Sequence, residues 1–179
     1  MYSCKFSPDG SLLALGSRDH AIYIYQVKDS YRRFIRQGRC LGHTAPVVHI
    51  DWSSDGLSIQ SNSADHELMV WTVSTGRPVR DIDSIRDMVW STSECVVQWS
   101  SLGLWGETPD TADPSHVSLT RSRELVGVGD TWGRVKLFSN PACQPRSLCH
   151  TYTGHSSQVT NTVESNNHGT YSVKVSSSS

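Results

Sequence analysis

Short apolar runs recur between Gly42 and Ile82, and each is followed by residues that form turns. Apolar residues dominate at 47–52 and at 68–71, and mixed segments lie at 57–63 and at 78–82. The intervening turn formers are Ser54-Asp55-Gly56, Asp65-His66 and Gly76. Asp and Gly tolerate the backbone conformations that tight turns require. The pattern therefore predicts four short β-strands joined by tight turns.

The same punctuation occurs earlier in the chain, at a constant interval of 46 residues. Five residue pairs keep this interval, and they are Asp9/Asp55, Gly10/Gly56, Asp19/Asp65, His20/His66 and Tyr25/Trp71. A period of about 40–45 residues in which an aromatic residue closes each unit is typical of β-propeller blades. We therefore expect an all-β protein built from repeated blades.

Three further units are weaker matches to this pattern. The third is predicted to have strands at 85–90, 95–99 and 102–105, and the fourth at 117–120, 125–129 and 135–138. Gly154-His155 opens a fifth unit whose first strand begins near Val159. The expected organisation is a partial propeller at residues 1–163, with about four blades and the start of a fifth, followed by a flexible Ser-rich tail at 164–179.

The second unit resembles a WD repeat, because Gly42-His43 opens it and Trp71 closes it. In that family a His, a Ser or Thr, an Asp and a Trp of one blade form a buried hydrogen-bond chain. The resemblance assigns these roles to His43, Ser61, Asp65 and Trp71. A buried polar chain stabilises a fold only when all its members are paired, so the role implied is structural.

A more specific resemblance extends over Tyr2 to Asn161. The segments that carry it, in order, are Arg86-Asp87-Met88-Val89-Trp90, Gly103-Leu104-Trp105, Gly129 to Ser139 and Thr153 to Asn161. This series resembles the C-terminal WD-repeat propeller of the echinoderm microtubule-associated protein-like family. The resemblance implies association with microtubules through contacts between propeller and tubulin, and a cytoplasmic, cytoskeletal location that extends to the spindle. It also implies that a basic N-terminal region, which is not among these 179 residues, provides most of the lattice binding.

Three functional interpretations remain open. The first is a microtubule-associated propeller fragment that binds tubulin. The second is a general WD-repeat scaffold that joins other proteins through the propeller rim without direct tubulin contact. The third is a truncated, non-functional isoform, because an incomplete ring of blades leaves strand edges unpaired and prone to aggregate.

Composition narrows the class of partner and the compartment. The net charge is −1, from 16 basic and 17 acidic side chains, so no overall field favours nucleic acid or a membrane surface. No apolar run approaches the roughly 20 residues that span a bilayer. The five cysteines show no short paired spacing, which favours reduced thiols in the cytosol.

Candidate catalytic and ligand-binding motifs do not reach the required patterns. Gly127, Gly129 and Gly133 have the wrong spacing for a dinucleotide fingerprint and precede a predicted strand rather than a helix. The segment from Cys143 to His155 lacks the spacing of a zinc site, and the chain has no Gly-x-Ser-x-Gly motif. We therefore predict no enzymatic activity, no cofactor and no metal.

Two features are candidates for partner binding. Arg32, Arg33, Arg36 and Arg39 follow Lys28 in a stretch where Asp29 alone is acidic. Such a cluster can bind an acidic surface such as that of tubulin, or it can merely protect the edge of an outer strand. The second candidate is Trp132, which lies in a predicted turn and is either a binding hot spot at the rim or folded back over the blade edge.

Overall fold

Strands dominate the computed structural model, which describes residues 3–104, 114–120, 122–142, 148–167 and 170–177. The chain divides into two units, Met1–Val97 and Gln98–Ser179. Three four-stranded antiparallel sheets lie in these residues, two in the first unit and one in the second. The prediction of an all-β, WD-repeat propeller fold is confirmed.

The first unit contains two complete blades. Blade 1 consists of β1 (Ser3–Phe6), β2 (Leu12–Gly16), β3 (Ala21–Lys28) and β4 (Arg33–Leu41). Blade 2 consists of β5 (Val47–Trp52), β6 (Ser58–Ser63), β7 (Leu68–Thr72) and β8 (Arg77–Pro78). In both blades each strand pairs with the next one along the chain, as expected for strands joined by tight turns.

The 46-residue repeat extends to individual hydrogen bonds. Ser7 Oγ donates to Asp9 Oδ1 and Ser53 Oγ donates to Asp55 Oδ1, both at 2.6 Å. The glycine after each Asp has a positive φ, 72° at Gly10 and 71° at Gly56. A residue with a side chain rarely adopts this conformation, so the Asp-Gly pair determines where the first hairpin of each blade turns.

The core of the first unit lies between the two blades. Every strand from β2 to β7 contributes to it, and its largest fully buried side chains are Ile22, Ile24, Ile50, Ile59, Trp52 and Trp71. Trp52 of blade 2 also donates from Nε1 to the carbonyl of Lys5 in blade 1, at 3.0 Å. Apolar burial and this hydrogen bond together hold the two blades side by side.

The prediction of a third blade is wrong, because its strands do not form in the described residues. The segment after β8 begins a short helix, α1 (Ile82–Arg86), where Asp81 caps the first turn by accepting from the N–H of Asp83. Residues Trp99–Leu104 form a 3-10 helix. In the segment that joins α1 to this helix, the only β pairing among the described residues is a bridge from Trp90 to Ser53. The predicted fourth strand of blade 2, at 78–82, is likewise replaced by the two-residue β8. The predicted strand end at Trp105 lies outside the described residues.

The second structural unit, Gln98–Ser179, contains the third sheet and a separate strand pair. Its sheet consists of β9 (Pro114–Leu119), β10 (Leu125–Asp130), β11 (Arg134–Ser139) and β12 (Cys149–Thr153). Strands β9, β10 and β11 match the three strands predicted for the fourth unit, and β12 was not predicted. A further antiparallel pair is formed by β13 (Val159–Asn167) and β14 (Thr170–Ser177).

The strand pair β13–β14 occupies most of the stretch predicted to be a flexible tail. Backbone pairing extends from Val159 and Ser177 to Asn167 and Thr170. Serines suggested a tail, yet Val, Thr and Tyr recur between them in β14, and such residues favour strands.

No helix among the described residues is long and apolar enough to cross a membrane.

Candidate interaction surface

A buried hydrogen-bond chain joins the start of blade 2 to its third strand. Trp71 Nε1 donates to Ser61 Oγ at 2.8 Å, and Ser61 Oγ lies 2.7 Å from His43 Nε2. The other ring nitrogen, Nδ1, lies 3.0 Å from Glu67 Oε2. Because the Glu67 carboxylate can only accept, His43 donates to it from Nδ1, and Nε2 of the neutral imidazole then accepts from the Ser61 hydroxyl. The structure thus brings together His43, Ser61 and Trp71.

Asp65 is not part of this chain, in contrast to the role that the WD-repeat resemblance assigned to it. Its carboxylate accepts hydrogen bonds from Thr44 Oγ1, at 2.6 Å, and from Ser63 Oγ. These bonds lower the pKa of Asp65 to about 2. The short Asp side chain is therefore bound by two hydroxyl groups, and the longer Glu67 reaches the imidazole.

A second polar cluster, which the sequence did not indicate, anchors the segment after blade 2. Asp51 is completely buried and accepts from the backbone N–H of Glu94 at 2.9 Å and of Cys95 at 2.8 Å. Gln60 Nε2 donates to the same carboxylate at 3.1 Å, as does the hydroxyl of Thr92. Side-chain contacts of this kind replace the backbone pairing that the predicted third blade would have required.

Asn62 extends this anchor by imitating a neighbouring strand. Its Oδ1 accepts from the N–H of Val97 at 2.9 Å, and its Nδ2 donates to the carbonyl of the same residue at 2.8 Å. The side-chain amide thereby satisfies both backbone groups of one residue, as a paired peptide would. All six residues of β6 are buried, although Ser58, Gln60, Ser61, Asn62 and Ser63 are polar.

Strand β4 carries three of the four arginines predicted to bind a partner, and the fourth, Arg32, lies in the preceding turn. All four are exposed. Arg39 pairs with Tyr23 and Arg36 with Tyr25, which places these two arginines on one face. Arg33 pairs with Lys28 on the opposite face. The cluster is thus divided between the two faces of an outer strand rather than gathered on one.

A bulge determines which of the β4 arginines share a face. The register moves from Ile24–Gly38 to Tyr25–Arg36 and leaves Gln37 without a partner on β3. An extra residue in one strand changes which face the following residues occupy. Arg36 and Arg39, three residues apart, therefore share a face that strict alternation would deny them.

Tyr23 lies on the same face as Arg36 and Arg39, and neighbouring side chains shift its pKa. Its hydroxyl donates to Asp19 Oδ2 at 2.6 Å, and this hydrogen bond raises the pKa of Tyr23. The charges of Arg39 and Arg36 act on the same phenol in the opposite direction. Arg36 and Arg39 thus lie near Tyr23 on one face of the sheet.

The turn that presents Arg32 has an uncommon backbone. Asp29, Ser30 and Tyr31 all have positive φ values, of 52°, 52° and 69°. Such conformations are costly for residues with side chains and persist where neighbouring contacts hold them. Here the ring of Tyr31 packs edge-on against Phe6, with 5.7 Å between centroids, although Tyr31 remains exposed.

In the other unit, Trp132 lies in the turn between β10 and β11 and is 56% exposed. The guanidinium of Arg134 stacks on its ring, 4.6 Å from the centroid, and Arg134 Nε donates to the buried Asp130 at 2.7 Å. Asp130 also accepts from the N–H of Trp132 at 3.0 Å. The indole is therefore held in position from one side while much of it faces solvent.

Replacing Trp132 by Ala is expected to weaken partner binding with little loss of stability. The cation–π contact at such an exposed site contributes about 0.5–1 kcal/mol, so thermal unfolding should shift by only a few degrees. Arg134 retains its bond to Asp130 in this variant, which limits the loss. The check is thermal denaturation of both proteins alongside a binding assay. A destabilisation above about 3 kcal/mol would assign Trp132 to packing instead.

Among the described cysteines, Cys40 and Cys95 are buried. Burial raises the pKa of Cys40 to about 12 and raises that of Cys95 strongly, so both thiols are protonated at neutral pH. Cys149 is exposed, and Cys143 lies outside the described residues. In the part of the chain that the structure describes, no three His, Cys, Asp or Glu side chains converge to hold a metal ion.

Comparison with known proteins identifies related sequences over most of the chain. The family model described as the echinoderm microtubule-associated protein second beta-propeller matches residues 1–171. Echinoderm microtubule-associated protein-like 2 of Homo sapiens is 41% identical over 157 residues, which cover 88% of this chain and 24% of that protein. Echinoderm microtubule-associated protein-like 1 of Rattus norvegicus is also 41% identical, over 88% of this chain and 19% of the relative.

A relative from an echinoderm shows similar coverage. The 77 kDa echinoderm microtubule-associated protein of Lytechinus variegatus is 38% identical over 156 residues, 87% of this chain and 24% of that protein. The chain thus spans about a quarter or less of the length of these curated relatives.

Proposed function

Because this chain belongs to the echinoderm microtubule-associated protein family, we propose that it is a non-enzymatic, microtubule-associated module that binds tubulin. The match to the family's second propeller over residues 1–171 is the observation that carries this proposal. Relatives named as microtubule-associated support it. The proposed location is accordingly the cytoplasmic cytoskeleton, on microtubules and the spindle, with no nucleic-acid or membrane partner.

The proposed tubulin-binding surface is the basic region of β4 and its preceding turn. Tubulin is strongly acidic, and arginine binds carboxylates through paired hydrogen bonds. Among the described residues, no carboxylate lies within ion-pair distance of the five basic side chains of this region, which are Lys28, Arg32, Arg33, Arg36 and Arg39. Their charge is therefore available to a partner.

Charge reversal tests this surface. The triple substitution of Arg32, Arg33 and Arg36 by Glu is expected to reduce cosedimentation with microtubules at least about tenfold, because attraction becomes repulsion. Binding of the unchanged chain should also fall steeply between about 50 and 200 mM salt. All three side chains are exposed, so the fold should be retained, and circular dichroism checks this.

A matched variant controls for net charge. Arg18, Arg80 and Arg86 are also exposed and lie outside β4. Their joint replacement by Glu changes the net charge by the same amount and should leave cosedimentation nearly unchanged. Equal loss in both variants would indicate a nonspecific charge effect, and no loss in either would contradict the proposed surface.

The exposed indole of Trp132 favours a second, compatible function as a protein-interaction scaffold. Tryptophan is enriched among residues that dominate binding energy, and here its ring is already held by Arg134. Other proteins would bind at this rim position without contacting tubulin. Loss of a cellular partner on Trp132→Ala with unchanged microtubule cosedimentation would separate the two functions.

A further inference from the structure

Strand β4 ends its sheet with one edge open over part of its length. The order of blade 1 is β1-β2-β3-β4, so in the described residues β4 pairs on one side only. Near its end, Gly76 of the next blade approaches the backbone so closely that an added Cβ would lie 2.4 Å from the carbonyl oxygen of Arg39. Before Gln37 the register is regular from Arg33 to Arg36. The accessible edge is therefore the four-residue stretch Arg33–Arg36.

Both faces of this stretch combine one cation with one apolar side chain. Phe34 and Arg36 share the face of Val27 and Tyr25, whereas Arg33 and Ile35 share the face of Lys28 and Gln26. Phe34 is 44% exposed and Ile35 41% exposed. Unlike a strand whose outer face is uniformly charged, β4 thus presents apolar surface beside each arginine.

We propose that the edge Arg33–Arg36 binds an extended acidic peptide, which adds to blade 1 as a fifth strand. An unpaired edge supplies backbone N–H and C=O groups for such addition. Positive charge on both faces repels the same edge of a second copy and attracts carboxylates, so the charge pattern selects an acidic partner. This proposal rests on the proposed function, in which the basic region contacts tubulin or another acidic protein, and it specifies how that contact is made.

The register predicts the order of residues in the ligand. Side chains directly opposite in paired strands lie on the same face, about 4.5–5.5 Å apart. Carboxylates should therefore face Arg33 and Arg36, and apolar side chains should face Phe34 and Ile35. The preferred ligand is a segment with the order acidic, apolar, apolar, acidic.

Three blocked, fluorescently labelled peptides test this proposal on the full chain by anisotropy. The first contains Glu-Val-Val-Glu between glycines and is expected to bind. The second contains Val-Glu-Glu-Val, with the same charge and composition, and should bind more weakly by about fivefold or more because its carboxylates face the apolar side chains. The third is the first peptide with both valine nitrogens methylated. It should lose about tenfold, because in either strand direction one inter-strand hydrogen bond disappears.

Two protein variants and an exchange measurement complete the test. The double substitution Arg33→Glu and Arg36→Glu should abolish binding of the first peptide, and the matched Arg18→Glu and Arg86→Glu protein should bind it normally. Bound peptide should slow hydrogen exchange of amides within Arg33–Arg36. Equal binding of the methylated peptide would show charge attraction without strand addition and would overturn the proposal, as would absence of binding by the first peptide.

These outcomes are separable from failure of the proposed function. If microtubule cosedimentation depends on the arginines while no peptide binds, strand addition is wrong and the tubulin surface stands. If the peptide order and methylation effects hold while microtubules are ignored, the edge binds an acidic strand of a protein other than tubulin.

Discussion

Replacing Asp51 by Ala is expected to destabilise the unit Met1–Val97 by about 3–5 kcal/mol, because buried donors lose a charged acceptor. The carboxylate is 0% exposed and accepts from the backbone of Glu94 and Cys95 and from Gln60. In the variant the N–H of Cys95 and the amide of Gln60, both in buried residues, lose this acceptor. Urea denaturation measures the loss, and hydrogen exchange at Glu94 and Cys95 locates it.

Two further variants sharpen this test. Asp51→Asn keeps the size of the side chain but turns an NH2 group toward an N–H donor, so it should also be clearly destabilising. Asp83→Ala removes an exposed carboxylate whose contact is a surface ion pair with Arg86, at 3.4 Å, and should change stability by less than about 1 kcal/mol. A loss below about 1 kcal/mol for Asp51→Ala would mean that residues 92–97 are not anchored as described.

Replacing Ser61 by Ala is expected to cost about 2–4 kcal/mol, although it removes a single oxygen atom. That oxygen accepts from Trp71 Nε1 and donates to His43 Nε2, and both rings are buried. Two polar nitrogens would lose their partner at once, and each unsatisfied buried group costs about 1–3 kcal/mol. Thermal and urea denaturation of the purified variant provide the measurement.

The conservative replacement provides the matched control. Ser61→Thr retains the hydroxyl, and the WD-repeat resemblance accepts Thr at this position, so this variant should keep most of the stability lost in Ser61→Ala. If the free energy of unfolding of Ser61→Ala lies within about 0.5 kcal/mol of that of the unchanged protein, the hydrogen bonds from Trp71 to Glu67 do not contribute as proposed.

The repeated blades could be predicted because their signals are local. Asp-Gly turns and the apolar residues after them lie within a few positions of one another, and the interval of 46 residues relates Gly10 to Gly56 and Tyr25 to Trp71. Hairpins form between neighbouring segments, so turn chemistry and alternation largely determine them. The same reasoning succeeded for β9 to β11 in the second unit.

The third blade was mispredicted because its hydrogen-bond partners are distant in sequence. Val96 and Val97 form part of an apolar run that looks like a strand, yet Val97 bonds to the side chain of Asn62, 35 residues earlier. No local pattern distinguishes an apolar segment that pairs with a backbone from one held by side chains. Tertiary contacts therefore decided this segment.

The sequence indicated which residues belong to the candidate site, but not how they are arranged. The arginines are adjacent in sequence, which suggested one patch, but the bulge at Gln37 and the alternation of β4 divide them between faces. Similarly, the WD-repeat pattern pointed to Asp65, whereas side-chain length decides which carboxylate reaches His43. Both differences depend on distances of a few ångströms.

Strand β6 has a consequence for interpreting natural variants. Its sequence, Ser-Ile-Gln-Ser-Asn-Ser, is hydrophilic enough to pass for a loop, yet Ser61 serves the chain to His43 on one face while Gln60 and Asn62 serve the anchor on the other. A score based on hydropathy alone would rank these positions as tolerant of substitution. We expect a saturation scan to rank them instead among the least tolerant in the chain, with small polar-to-apolar exchanges as damaging as the loss of a core leucine.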